Sequence, residues 1–361
     1  MIVVIALGGA ALLKRGEPPE VNVQRANIAR AAEAIVKVAR IHNVVVTHGN
    51  APQVALLSLQ TDTNTQVPPY PLDILSAQTG GMIGSLIEQE VRARLPKREV
   101  VSLLTQVQVN PDDPSFGNPA ALVGPAFSPE QAQRLTQERG WKMTAVGERS
   151  WRRTVPLAEP RRVLEINAIR GLVTAGAVVI CAGGGGIPVT VSPQGAVRGV
   201  EAEIEKDLLS ALIARKVGAA ALLLLTDVDA AYESWGTSFK RPIRETTPDF
   251  LRKVQFPSES MLPKIEAACR FVESGGGFAG IGLVEDAIAI LEGTRGTIVR
   301  KGGVSLDFLR NRQGAVKPGP ITLTRAASKQ PGPSTISRAA AKRTAEPAPM
   351  PPAAKPTGKA K

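Results

Sequence analysis

A set of short aliphatic runs, each stopping at glycine or a small polar residue, restricts this chain more than anything else in it. Ile2–Leu7 stops at Gly8-Gly9, Val44–Thr47 at His48-Gly49-Asn50, Val178–Cys181 just before Gly183–Gly186, and Ala221–Leu225 at Thr226-Asp227. The runs are apolar throughout rather than alternating, which predicts strands buried on both faces. Helical spacing fills the intervals. Between Asn22 and Ile41 the apolar residues recur as Ile28, Ala31, Ala32, Ile35, Val38 and Ala39. Further helices are predicted at Gln53–Gln60, Ser76–Leu95, Glu165–Ala175, Glu201–Arg215, Ile265–Glu273 and Glu285–Leu291. Additional strands are predicted at Val100–Val109 and Phe278–Leu283, with a last edge strand at Gly296–Val299. Strand and helix in turn make an α/β fold, a parallel sheet covered by helices on both sides. Hydrophobic residues are 43% of the chain but aromatic ones only 4%, so the core must be built from Val, Leu, Ile and Ala.

The alternation fails between about 110 and 160, where Pro, Gly and polar residues gather around Trp141 and Trp151. This stretch is predicted to be an inserted lid subdomain of a domain spanning 1–311. From 312 to 361 the chain is mostly Pro, Ala, Lys, Arg, Ser and Thr, which cannot offset ordering entropy by burial, so a disordered basic tail is predicted there. The tail also explains the charge. The net charge is +12, from 44 basic and 32 acidic residues; ten of the former and one of the latter lie in 312–361, leaving 34 against 31 upstream. The folded part is nearly balanced, so nucleic-acid binding is not expected of it, and only the tail could supply the contacts. Cys181 and Cys269 both sit in apolar surroundings, which fits a reducing compartment. Ile2–Leu7 is too short to span a bilayer and has no basic segment before it, so a soluble cytoplasmic protein is expected.

The turns after the strands carry the candidate chemistry. Gly8-Gly9 would expose backbone N–H groups to a phosphate, although a tight turn would read the same. Thr47-His48-Gly49-Asn50 stands at the equivalent place after the next strand, and two such turns at adjacent strand ends suggest one anion site. His48 alone reads better as a satisfied polar residue than as a catalyst. Four consecutive glycines at 183–186 are costly in chain entropy and favour close approach to a ligand. In Glu205-Lys206-Asp207, Lys206 is either a solvated charge or a partner of a transferring phosphoryl group, with Asp207 orienting it. Asp227 and Asp229 could cap a helix or face a nucleotide ribose or its Mg²⁺. Lys264 is a possible second cation. No GxxxxGK[ST] loop is present, and the GxGxxG letters at 275–280 follow a helix and enter a strand, the reverse of the dinucleotide context. Neither zinc-ligand spacing nor a Ser-His-Asp set is found.

Taken in order, these strings resemble the carbamate kinases of the amino acid kinase superfamily. The resemblance is carried by Ala6–Gly9, Thr47–Val54, Pro71–Gly84, Thr105–Phe116, Trp151–Pro160, Gly183–Val189, Gly199–Asp207, Leu225–Tyr232 and Met261–Gly275, collinear from residue 1 to about 300. It implies a three-layer αβα sandwich around a mostly parallel, roughly eight-stranded sheet, with an acyl-phosphate half followed by a nucleotide half. It also implies a homodimer and reversible Mg²⁺-dependent phosphoryl transfer between carbamoyl phosphate and ADP, giving carbamate and ATP. By motif match, Lys206 and Lys264 would neutralise the transferring group and Asp207 would organise them. Gly8, Gly9, Gly49 and Asn50 would cradle the substrate. Gly184 and Gly185 would approach the phosphates, and Thr226, Asp227, Asp229 and Tyr232 would lie near the adenine nucleotide, with no protein side chain expected to ligate the metal directly.

The chain departs from the family pattern at the substrate end. Ala10 stands where an asparagine is usual, Ala51 where a glycine is usual, Gly80 where a glutamine is usual, and Ala121 where the inserted segment normally carries a lysine. These changes leave two alternatives to full carbamate kinase activity: a nucleotide-binding pseudoenzyme, or a kinase for a different small acid.

Overall fold

A computed structural model describes residues 1–302 apart from 15, 64–67 and 258–259. The tail expected from 312 lies outside the described residues. The central sheet has eight strands: β1 (Ile2–Leu7), β2 (Asn43–His48), β3 (Val100–Ser102), β4 (Val178–Ile180), β5 (Ala221–Thr226), β6 (Glu245–Thr246), β7 (Phe278–Leu283) and β8 (Thr297–Arg300). Their order is β6-β8-β7-β5-β1-β2-β4-β3. The strands from β7 to β3 are all parallel, while β8 runs antiparallel to β7 and takes β6 along with it.

Side chains of a strand point alternately to the two faces, and β1 divides accordingly. Val3, Ile5 and Leu7 face one core with Ile28 and Ile35 of α1 (Val21–Ala39) and Ile83 and Ile87 of a long helix at Leu72–Arg94. Val4 and Ala6 face the other core, with Ile169 of a helix at Ile166–Thr174, Leu209 and Ile213 of a helix at Lys206–Val217, and Ile265 and Phe271 of a helix at Met261–Glu273. Including α2 (Ala51–Thr63), these helices are numbered α3, α4, α5 and α6 in the order given. The expected αβα sandwich with an eight-stranded sheet is therefore present. Among the described residues no helix is long and apolar enough to cross a membrane.

The structure departs from the expected elements most at three places. The run Val100–Val109 is not one strand: β3 ends at Ser102, and Gln106–Gln108 joins a separate four-stranded sheet. Gln106 and Gln108 flank buried Val107, and such an alternating strand cannot extend a sheet that is buried on both faces. The helix expected from Glu201 begins only at Lys206, because Glu205 caps it and Glu203–Ile204 pair with Leu157–Ala158. The edge of the sheet is Glu245–Thr246, beside β8, and not β8 itself. A two-residue strand leaves no periodic signal to read.

Between 110 and 160, Ala121–Phe127, Ser150–Val155 and Lys142–Gly147 form a three-stranded antiparallel sheet, with a helix at Pro129–Arg139 that starts in a Ser128/Gln131 capping box. Val123 and Val155 of this sheet close a small apolar cluster with Val54 of α2 and Leu72 and Leu75 of α3.

Candidate active site

The carboxyl ends of four neighbouring strands, β4, β2, β1 and β5, converge on one another. Gly8 N donates to Leu225 O at 2.8 Å, and Gly49 N donates to Leu7 O at 3.1 Å. A Cβ on Gly49 would stand 3.2 Å from the N and Cα of Gly9, so the two glycine turns are stacked. Asn50 is buried, and its Nδ2 donates to Thr79 Oγ1 at 2.9 Å. Gly184 presses on that amide: a Cβ there would lie 2.1 Å from the Asn50 side chain, and its φ of +66° is left-handed. Gly185, at φ +90°, would put a Cβ 2.1 Å from the carbonyl of Ile204, two residues before Lys206. Glycine is thus required at 184 and 185 by protein neighbours, a reason the sequence reading, which looked to a ligand, did not contain. Ala182, just before them, is also left-handed at φ 52°, a conformation that costs energy for a residue with a Cβ.

Lys206 is the first residue of α5 and Asp207 the second, under the Glu205 cap, whose Oε1 accepts from Asp207 N at 3.2 Å. Asp207 is 1% exposed. Its Oδ1 accepts from Lys206 Nζ, and its Oδ2 accepts from Lys264 Nζ at 3.0 Å. One buried carboxylate therefore ties together two ammonium groups from different helices. Burial works to raise the Asp207 carboxyl, but Lys206 and then Lys264 outweigh it and hold its pKa below the ordinary value. Burial likewise pushes Lys206 down, Lys264 adds to this, and Asp207 opposes it without prevailing. Glu205 is raised by burial and by the charge of Asp207. Glu203 is pushed up to about 7 by burial and by Glu205. Sequence reasoning did not single out Glu203. Its spacing from Asp207, two residues either side of Glu205, was the available signal.

His48 is buried, its Nδ1 lies 2.9 Å from Gly49 O, and desolvation pushes its pKa down to about 4. It is a neutral, packed ring whose Nδ1–H donates to that carbonyl, the satisfied polar residue expected. The two thiols are buried and pushed up to about 12 for Cys181 and about 11 for Cys269, so neither is a nucleophile near neutral pH.

On the far side of Lys264 lies a cavity of about 110 Å³, lined by Thr226, Asp227, Tyr232, Trp235, Phe256 and Met261 among others. Ser260 also lines it, and the Ser260 carbonyl accepts from Lys264 Nζ at 3.4 Å, so this cavity and the paired lysines share the first turn of α6. Tyr232 OH donates to Asp229 Oδ1 at 2.7 Å, and Arg244 stands 3.8 Å from Asp229 Oδ2. Asp229 is therefore occupied in holding Tyr232, whereas Asp227 is exposed at the cavity wall. Tyr232 and Trp235 are in ring contact at 5.5 Å between centroids, an aromatic wall with polar tips that suits a nucleobase. Trp235, Phe256 and Met261 were not expected; they reach the cavity from two separate segments.

Of the substituted positions, Ala10 borders a larger, open cavity of about 550 Å³ with Lys14, Arg30, Thr226 and Asp227. Ala121 packs against the Val54, Leu72 and Val123 cluster. Among the described residues no three His, Cys, Asp or Glu side chains stand together as a metal cage.

A model of the amino acid kinase family matches residues 1–277. The chain is similar to the carbamate kinase of Rhizobium meliloti, 50% identical over 303 residues that cover 83% of this chain and 93% of that one. It is 43% identical to the carbamate kinase of Haemophilus influenzae over 302 residues, 83% of this chain and 97% of the relative. Among solved structures, the carbamate kinase of Giardia lamblia bound to AMP-PNP superposes with a TM-score of 0.79 at 31% identity, covering 83% of this chain and 98% of the other.

Proposed function

The chain belongs to the carbamate kinase family of amino acid kinases, and from that premise we propose that it transfers a phosphoryl group reversibly between carbamoyl phosphate and ADP, giving carbamate and ATP. It is a phosphotransferase of the carbamate kinase type. The observation that carries the reading is the Lys206–Asp207–Lys264 bridge at the meeting point of the glycine turns and the aromatic cavity. Phosphoryl transfer requires charge neutralisation and alignment rather than covalent catalysis. Two ammonium groups held in a nearly dry site stabilise charge on the transferring group without reorganising at the moment of reaction. With both oxygens of Asp207 engaged by lysines and its pKa lowered, it acts as an organiser and not as a base.

In this reading Gly8, Gly9, Gly49 and Asn50 cradle the acid end. Gly184 and Gly185 support the phosphates, and Thr226, Asp227 and Tyr232 receive the nucleotide, with Asp229 holding Tyr232. Dependence on nucleotide and Mg²⁺ goes with the family. Bound with the nucleotide, Mg²⁺ would supply neutralisation of phosphate charge, and the exposed Asp227 carboxylate on the cavity wall is the acidic group available to it there. The inserted sheet closes over the acid end as a lid. A homodimer is supported by Met82, 39% exposed on α3, and by Leu104, 56% exposed and 3.7 Å from a Cβ on neighbouring Gly81, a set of apolar side chains open to a second copy. Two buried free thiols support residence in the reducing cytoplasm.

A second reading, a different small acid as acceptor, is favoured by Ala121. Its methyl is committed to an apolar cluster, so the inserted sheet offers no cation from that position. The test is ATP formation from MgADP and carbamoyl phosphate, with Lys206→Ala as control. Robust synthesis that disappears in the variant is expected. No synthesis by a protein that binds ADP would overturn carbamoyl phosphate as the donor and leave another acyl phosphate.

A further inference from the structure

Thr47 and Ser210 are both fully buried, and the phosphoryl-transfer reading gives neither hydroxyl a role. Their hydroxyl oxygens lie 2.7 Å apart across 163 residues of sequence. Ser210 also donates to the carbonyl of Lys206 at 2.7 Å. A serine hydroxyl has one proton, and this one is spent on that carbonyl, so the direction of the chain is fixed. Thr47 donates to Ser210, and Ser210 donates to Lys206.

The two ends of this relay belong to different parts of the reaction. Thr47 is the penultimate residue of β2, immediately before His48-Gly49-Asn50. Lys206 opens α5 and is held by Asp207. The glycine turn at 49 and the lysine pair are carried by separate elements, and the relay is a direct polar link between the end of β2 and the first turn of α5. Its position in the dry interior makes it stiff, because an unmade hydrogen bond there has no water to replace it.

We propose that Thr47 and Ser210 are positioning residues that fix the acid-binding turn relative to Lys206. This rests on the phosphoryl-transfer reading. Neither hydroxyl touches substrate. Their loss misaligns donor and acceptor by a fraction of an ångström while leaving the nucleotide cavity intact. A displacement of that kind lowers turnover more than binding.

The experiment compares Thr47→Val, Thr47→Ser, Ser210→Ala and the Thr47→Val/Ser210→Ala double variant with the wild type in MgADP-dependent ATP synthesis from carbamoyl phosphate, with Tm recorded for each. The expected result is a fall in kcat of about tenfold in Thr47→Val and in Ser210→Ala with KM for ADP unchanged. Recovery in Thr47→Ser and a double variant no worse than the poorer single are also expected, since both singles break one chain. Unchanged kcat in both singles overturns the proposal. So does a parallel loss of kcat, ADP affinity and Tm, which marks a merely structural bond.

A silent wild type would refute the proposed reaction, and the relay is then judged by hydrogen exchange of the peptide spanning 205–212. Faster exchange there in Thr47→Val with Tm and ADP affinity unchanged upholds the link between β2 and α5, and identical exchange, or faster exchange with a parallel loss of Tm and ADP affinity, overturns it.

Discussion

Replacing Asp207 with asparagine keeps the shape of the side chain and removes the one charge that both lysines share. In the native protein Asp207 is 1% exposed, and the side chains of Lys206 and Lys264 are only 13% and 10% exposed. Breaking a buried ion pair by removing one partner costs about 3–5 kcal/mol, because the remaining charge is left without compensation. Here Lys206, already lowered by burial, can shed its proton, which places the loss near the lower end, about 3 kcal/mol. For a folded domain of about 300 residues that is a fall in Tm of about 5 °C. Catalysis should suffer more, because the lysines lose both position and protonation. Removing one preorganised charge-stabilising group costs about 10²–10³ in kcat. Lys206 already sits below its ordinary pKa by burial, with Asp207 opposing the shift. Without that carboxylate it falls further, so the alkaline limb of the pH–rate profile must move to lower pH.

The stability of the native carboxylate has the opposite dependence. Its pKa is lowered on folding, so its contribution is present above the unfolded value of about 3.9 and is lost as pH falls through the folded one. Asp207→Asn should therefore differ from wild type most at neutral pH and converge with it in acid. The assay is ATP synthesis from MgADP and carbamoyl phosphate across pH, paired with thermal melts. A variant within about tenfold of wild-type kcat, with an unmoved alkaline limb, would refute the bridge as the organiser of the lysines.

Three further expectations follow from contacts in the same region. Gly184→Ala drives a Cβ to 2.1 Å from the Asn50 side chain at a left-handed φ and should lose more than about 2 kcal/mol in denaturant melts. Gly9→Ala, which meets nothing within 4 Å, should be near neutral in the same melts; equal losses in the two would show that the packing argument is wrong. Glu203, raised to about 7, destabilises the fold once pH climbs above its unfolded value and through 7. Glu203→Gln should thus gain up to roughly 3 kcal/mol over wild type at pH 8 and nothing below about pH 4, and parallel Tm–pH curves would exclude a raised carboxyl. Arg153 pairs with Glu201 and lies 4.3 Å over the ring of Trp141, while Glu201 Oε1 accepts from Leu72 N at 2.9 Å. Arg153→Ala should loosen the inserted sheet from α3 and speed proteolysis within 121–155, with little change in global Tm; unchanged cleavage would show that the pair does not anchor it.

The local features of the fold were legible because their cause is local. Runs such as Val44–Thr47 and Ala221–Leu225 can only be strands buried on both faces, and the burial of β2 and β5 agrees. The same reasoning misplaced the start of α5, since Glu201–Lys206 has good helix formers throughout. What stops the helix at 206 is pairing of Glu203–Ile204 with Leu157–Ala158, some forty-five residues away. Glu201 is likewise engaged by Leu72 and Arg153.

At the site, the residue types that stand at the ends of the parallel strands, and hence the place where an anion would collect, can be read from the order of residues along the chain. The same order carries the collinear strings that mark the family. What those residues do to one another depends on how distant segments pack. Asp207 bridges Lys206 and Lys264 because α5 and α6 pack side by side on one face of the sheet, although 57 residues separate the two ends of the Asp207–Lys264 bond. Glycine is needed at 184 because Asn50, on another strand end, occupies the space where a side chain would go. The Thr47 hydroxyl finds its partner in Ser210, 163 residues later. Periodicity records the face on which a residue lies, whereas a hydrogen bond or a clash depends on ångström-scale distances between chain segments, which are fixed only when the cores on both faces of the sheet have packed.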